Sequence, residues 1–125
     1  MKKKRQVVTY RGWVGNILCD SSWEMAFVAY CLDNGIEVVR NTRNFAYVYY
    51  NKTRYYRPDF LVDDGTNQTY VEIKGYMDGK SKRKLDWFNY PIMVIGQKEI
   101  GFYLKYAKTV YGERYWETIL EKYKK

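Results

Sequence analysis

Asp59, Glu72 and Lys74 are the residues of this 125-residue chain whose types and spacing could do chemistry together. They fall within Tyr55–Gly75, which reads YYRPDFLVDDGTNQTYVEIKG. Strand periodicity of two points Glu72 and Lys74 one way and Val71 and Ile73 the other. Asp64-Gly65-Thr66 is a turn signal between two apolar runs, so a hairpin is predicted. A loop at Gly65-Thr66 sets Asp59 directly opposite Glu72. A loop at Asp64-Gly65 shifts the pairing by two and still leaves both carboxylates on one face. Opposed like charges destabilise a sheet by up to roughly 1 kcal/mol, so facing carboxylates imply a cation between them. A divalent metal is the expected one.

Hydrolysis of a phosphodiester is the chemistry such a site suits. It needs an activated water, stabilised charge on the phosphoryl oxygens and help for the leaving alkoxide, much of which a hard cation supplies. Magnesium prefers carboxylate and carbonyl oxygens and keeps several positions for water and substrate. Asp59 and Glu72 offer two oxygens, and the backbone carbonyl of Ile73 is the candidate third. Lys74, one pleat beyond Glu72, is placed to hold water or to stabilise developing negative charge. Pro58 lacks an amide hydrogen and suits a sheet edge, leaving Asp59 open to a large substrate.

The rest of the composition narrows the class. The formal net charge is +8, and with abundant Trp, Tyr and Arg this favours a polyanionic partner, DNA first. Histidine is absent, which removes His-based nucleases, serine-type triads and His-Glu-x-x-His zinc hydrolases. Chemistry here must run on carboxylates, lysine and metal. No apolar run is long enough to span a membrane. Met-Lys-Lys-Lys-Arg is not followed by an apolar run, so no export signal is read there. Cys19 and Cys31 have neither metal spacing nor a disulfide framework and are expected as free thiols in a cytoplasmic protein.

The elements that must position these residues follow from periodicity and turn chemistry. One domain is expected over residues 1–125, with 1–20 a basic, irregular arm broken at Gly12 and Gly15 and a short strand at Gln6–Tyr10. Ser21-Ser22-Trp23-Glu24 is a capping box, followed by an apolar stripe at Trp23, Ala26, Phe27, Tyr30 and Cys31. Asn34-Gly35 ends this helix. Strands are expected at Ile36–Arg40, Phe45–Tyr50, Arg54–Val62 (after a turn at Asn51-Lys52) and Tyr70–Lys74. Gly79–Tyr90 reads as a basic helix stopped by Pro91. Ile92–Ile95 reads as a strand buried on both faces and parallel to its neighbour. Helices over Gln97–Tyr111 and Glu113–Tyr123, parted at Gly112, complete a mixed α/β sandwich.

Pro58-Asp59 and Glu72-Ile73-Lys74, on predicted strands, resemble the motif of the PD-(D/E)xK nuclease superfamily. The likeness runs from Ser21 to Gly75 in order of elements, and the C-terminal fifty residues carry no matching motif. It looks particularly like bacteriophage junction-resolving endonucleases and small phage nucleases of homing type. The resemblance implies a restriction-endonuclease-like core, a mixed sheet of four to five strands flanked by helices. It also implies a Mg²⁺-dependent DNA endonuclease, with Mn²⁺ as substitute, acting on branched DNA. A site-specific nicking or homing core, or an inactive DNA-binding module of the same fold, is the alternative. Asp59 and Glu72 would hold the metal with the Ile73 carbonyl. Glu24, 35 residues ahead of Asp59, matches the further acidic residue that the family often carries on the preceding helix, although a capping role would look the same. One metal or two stays open. Paired cuts from one site per chain imply a homodimer. Lys80, Lys82, Arg83 and Lys84, then Arg54, Arg57 and the arm residues Lys2, Lys3, Lys4 and Arg5, are the candidate phosphate contacts. Tyr47, Tyr49, Tyr50, Tyr55 and Tyr56 read as half-buried sheet residues.

Overall fold

Ser21 opens the first helix, α1 (Ser22–Asp33), by accepting the Glu24 amide at its hydroxyl, 3.2 Å away. Its exit is a Schellman turn: Gly35 adopts φ +70°, its amide reaches the Leu32 carbonyl, and the Ile36 amide reaches that of Cys31 at 2.9 Å. The computed structural model describes residues 10–75 and 84–125. Its core is a four-stranded sheet in the order β3-β6-β7-β8, built from β3 (Glu37–Arg40), β6 (Phe60–Asp63), β7 (Gln68–Ile73) and β8 (Ile92–Ile95). The first two pairings are antiparallel and β7–β8 is parallel, so the chain is a mixed α/β fold.

One face of this sheet is closed by α1. Phe60, on that face, meets Phe27 with ring centroids 5.8 Å apart, and Val38, Val71 and Ile95 are buried beside it. The outer side of α1 is covered in turn by α2 (Ile100–Tyr111), through Tyr30, Phe102, Tyr103 and Tyr106, and by α3 (Tyr115–Lys122), whose Tyr115 and Ile119 join the same core. The expected single apolar stripe is therefore too narrow. Met25, Ala26, Phe27, Val28, Ala29 and Cys31 are all buried, because helices close the side that the stripe would have left in water. On the other face of the sheet Tyr70, Phe45, Phe88 and Tyr90 form an aromatic cluster.

Several expectations are corrected. Residues 12–19 are not irregular: β1 (Gly12–Val14) and β2 (Ile17–Cys19) form a hairpin about Gly15, at φ +61°. Val14, Ile17 and Cys19 enter the core, which a basic average composition conceals. The turn after β4 (Phe45–Tyr49) falls at Tyr50-Asn51, both at positive φ, one residue before the expected place. The long strand Arg54–Val62 is two strands. β5 (Lys52–Tyr56) pairs only with β4, and the chain breaks at Arg57-Pro58-Asp59 before β6 joins the main sheet. Pro58 cannot donate to a ladder, and its carbonyl is held at 2.9 Å by the amide of buried Asn41. β8 is an edge strand with Met93 40% exposed, so it is not buried on both faces. α2 begins at Ile100, behind a turn at 97–99. The strand expected at Gln6–Tyr10 lies outside the described residues except for Tyr10. Of the helix expected at Gly79–Tyr90, 79–83 lie outside them, and the described part is helical only over 84–86. The chain leaves the helix at Trp87, well before Pro91, and Phe88 and Tyr90 pack in the aromatic cluster with Phe45. Cys19 and Cys31 are free, as expected, and both are buried.

Candidate active site

The β6–β7 hairpin pairs Phe60 with Val71 and Asp63 with Gln68, which is the register of a Gly65-Thr66 loop. Asp59 thus falls opposite Glu72. It lies in the break just before β6, where its side chain can turn into the end of the ladder. There Asp59 Oδ2 accepts the Ile73 amide at 2.9 Å, in place of a backbone carbonyl. The amide and carbonyl of one extended residue point the same way, so the Ile73 carbonyl faces the side that Asp59 occupies. The next amide, that of Lys74, turns to β8 and reaches the Ile95 carbonyl at 3.0 Å. Alternation therefore continues past the end of β7, with Glu72 and Lys74 on one face.

The two carboxylates stand within hydrogen-bonding reach of each other, and the Asp59 side chain is 17% exposed. Burial, then the Glu72 charge, pushes the Asp59 carboxyl up to about 7; the Ile73 amide and Arg40 offset part of this. Glu72 also accepts the Tyr56 hydroxyl. Burial and that hydrogen bond raise the Tyr56 phenol, so Tyr56 stays a donor. Tyr56 and Asp59 would point to opposite faces of one continuous strand. The break at Pro58 lets both reach Glu72.

Glu24 lies at the near end of α1, buried, but its carboxylate is already engaged. Glu24 Oε1 accepts Arg40 Nη1 at 2.6 Å and the Asp20 amide at 2.9 Å. The capping box is thus displaced by one residue, since Glu24 reaches back to Asp20 and not to Ser21. Burial raises the Glu24 carboxyl, and the Asp59 charge adds to this, while the Asp20 amide and Arg40 oppose it. Arg40 Nη2 stands 3.0 Å from Asp20 Oδ2 and 3.8 Å from Asp59 Oδ1, and its guanidinium lies over the Phe60 ring at 5.0 Å. Among the described residues, no three Asp, Glu or Cys side chains converge as one metal group. The donors that do meet are the Asp59 and Glu72 carboxylates beside the Ile73 carbonyl. Hard oxygens carrying an uncompensated like-charge pair fit Mg²⁺ or Mn²⁺.

Beside Asp59 a cleft of about 230 Å³ opens between Arg40, Asn41, Thr42 and Arg57. A larger hollow of about 490 Å³, near the β1–β2 turn and Tyr123, holds no carboxylate in its lining. Of the expected phosphate contacts, Arg57 is exposed at the cleft and Lys84 Nζ sits 4.7 Å over the Tyr56 ring. Arg54 instead lies along the β4–β5 ribbon over Tyr49. Lys2, Lys3, Lys4, Arg5, Lys80, Lys82 and Arg83 lie outside the described residues.

Asp20, Arg40, Asn41 and Tyr56 escaped the reading of the sequence as site residues. Asp20 precedes the cap, Arg40 ends a strand, and Tyr56 is one tyrosine among many. No local pattern marks them, because their roles come from contacts 16 to 20 residues apart. No protein-family model matches the chain, and no curated protein matches it in sequence.

Proposed function

We propose that the chain is a metal-dependent DNA endonuclease with a restriction-endonuclease-like core. The observation that carries this reading is the contact between Asp59 and Glu72 at the open end of the β6–β7 ladder. Two partly buried carboxylates this close repel each other unless a proton or a cation joins them, and a cation is the joining group that gives the pair a chemical use. When bound there, a hard divalent cation supplies activation of water and neutralisation of the phosphoryl oxygens. Asp59, Glu72 and the Ile73 carbonyl would hold it. Tyr56 fixes the Glu72 carboxylate, and the Ile73 amide fixes that of Asp59, so neither needs to reorganise.

Lys74, on the Glu72 face, opposes negative charge developing on the phosphoryl group. Arg57 and Lys84 flank the site on its solvent side and would contact the phosphates of a bound strand, consistent with the +8 charge. One site makes one cut, so a phage-type junction-resolving role would use two copies of the chain.

Purified protein incubated with supercoiled plasmid, a four-way junction and linear duplex tests the reading. Cleavage is expected with Mg²⁺ or Mn²⁺ and none in excess chelator. Undiminished cutting in chelator would overturn it, and metal-independent binding without any cutting would leave only a DNA-binding module. Preference for the junction over the duplex decides the branch-specific part.

A further inference from the structure

Arg40 is a cation placed among carboxylates that a two-metal site would need. Asp20 and Glu24 flank the start of α1 and Asp59 comes from the break before β6, and the Arg40 guanidinium lies within 4 Å of each, at 3.0, 2.6 and 3.8 Å. The fit is directional. Nη1 serves Glu24, Nη2 serves Asp20, and the guanidinium is held from behind by the Phe60 ring. Arg11 Nε closes the outer side of Asp20 at 3.1 Å. Four carboxylates, those of Asp20, Glu24, Asp59 and Glu72, thus meet two guanidinium groups, and two negative charges remain. A single divalent ion at Asp59 and Glu72 neutralises them. A second ion would stand about 3.5–4 Å from the first and need carboxylate oxygens of its own, and Arg40 holds the ones at hand.

We infer that this site, on the nuclease reading above, takes one metal ion per chain, with the Arg40 guanidinium standing where a second cation would be. Glu24 then serves as the anchor that positions Arg40 and does not ligate the metal. Arg40 is a positioning residue, since it acts through the carboxylates it neutralises. Its charge is permanent, so the arrangement holds across the working pH range.

Metal stoichiometry decides the matter, and it is a quantity that a merely structural Arg40 would not move. Mn²⁺ is titrated into the full chain and the free ion is counted by electron paramagnetic resonance. One ion per wild-type chain is expected; two per chain would overturn the inference while leaving the nuclease reading intact. No saturable binding would remove the metal reading and this inference with it. Arg40→Met, folded by circular dichroism, should admit a second ion, and Arg40→Lys, which keeps the charge, should not. A folded Arg40→Met chain that still binds one ion would show that Arg40 excludes nothing. Should Arg40→Met fail to fold, Glu24→Gln carries the test, since the amide keeps an acceptor for Arg40. It should retain one ion with affinity within about threefold of wild type, and a loss of about tenfold or more would make Glu24 a ligand.

Discussion

Asp33 and Asp59 are both largely buried carboxylates, and their surroundings are of opposite character. Asp33, at the end of α1, accepts the hydroxyls of Tyr106 at 2.7 Å, Tyr111 at 2.6 Å and Tyr123, and pairs with Lys122 at 3.0 Å. Burial alone would raise its carboxyl, but these donors outweigh it and hold the group down at about 2. Asp59 has one backbone amide, a distant guanidinium and a second carboxylate, and it is pushed up to about 7. Asp33 is complete: it ties α1 to α2 and α3 and asks for nothing more. Asp59 is short of positive charge. One carboxylate is surrounded by four donors and the other is left against Glu72, and that shortfall of positive charge is what the proposed cation would supply.

The largest expected effect separates the two regions by activity. Asp59→Asn and Glu72→Gln should each lower cleavage by about 10³-fold or more, the scale of losing a principal electrostatic contributor. In chelator at pH 8 the same variants should melt at or above the wild-type temperature, because removing one charge relieves repulsion. Destabilisation of both by several kcal/mol would make the pair a structural network and erase the contrast.

Asp33→Ala should do the reverse. Loss of a charged acceptor with four donors costs on the order of 2–4 kcal/mol of stability, read by urea titration. Cleavage per folded molecule should stay within about twofold of wild type, well inside the tenfold that 1.4 kcal/mol represents. A large fall in kcat would couple the helical layer to the site.

The dependence of stability on pH sharpens the comparison further. Asp59 rises from 3.8 when unfolded to about 7 when folded. The folded, metal-free chain therefore holds a proton there that the unfolded chain releases, and stability from this group falls as pH rises from about 4 to 7. Asp33 falls from 3.8 to about 2. Its contribution is full above pH 4 and is lost as pH falls towards 2. The change across the window is on the order of 4 kcal/mol for Asp59 and on the order of 2 kcal/mol for Asp33. Melts in chelator should show Asp59→Asn flattening only the upper window and Asp33→Asn only the lower one. A flat upper window in the wild type would mean that Asp59 is already compensated.

Single hydroxyls give the smallest contrast. Tyr111→Phe and Tyr56→Phe should each cost about 1 kcal/mol, the net worth of one hydrogen bond. Only Tyr56→Phe should slow cleavage, severalfold, because it frees the Glu72 carboxylate to reorient. Equal rates in single-turnover assays of the two variants would take Tyr56 out of the site.

Much of this architecture is legible in local patterns. Ser21 and Asn34-Gly35 bound α1 because capping and left-handed turns involve neighbours in the chain. Period-two alternation put Asp59 and Glu72 on one face under either candidate loop, and the observed register then chose Gly65-Thr66 and direct opposition. The parallel direction of β8 was read from its unbroken apolar run and the helix expected before it, and its neighbour proves to be β7. What tertiary structure alone decided is where strands stop and who neutralises whom. Pro58, held by Asn41, splits one apparent strand in two and turns Tyr56 and Asp59 onto the same carboxylate. Arg40 reaches Glu24 across 16 residues and Asp20 across 20, so its role has no local signature. Helices α2 and α3 bury the side of α1 that its stripe left polar-facing, a matter of which surfaces remain to be covered. Periodicity reports what a residue does within its own element; charge compensation is settled between elements, after folding has brought them together.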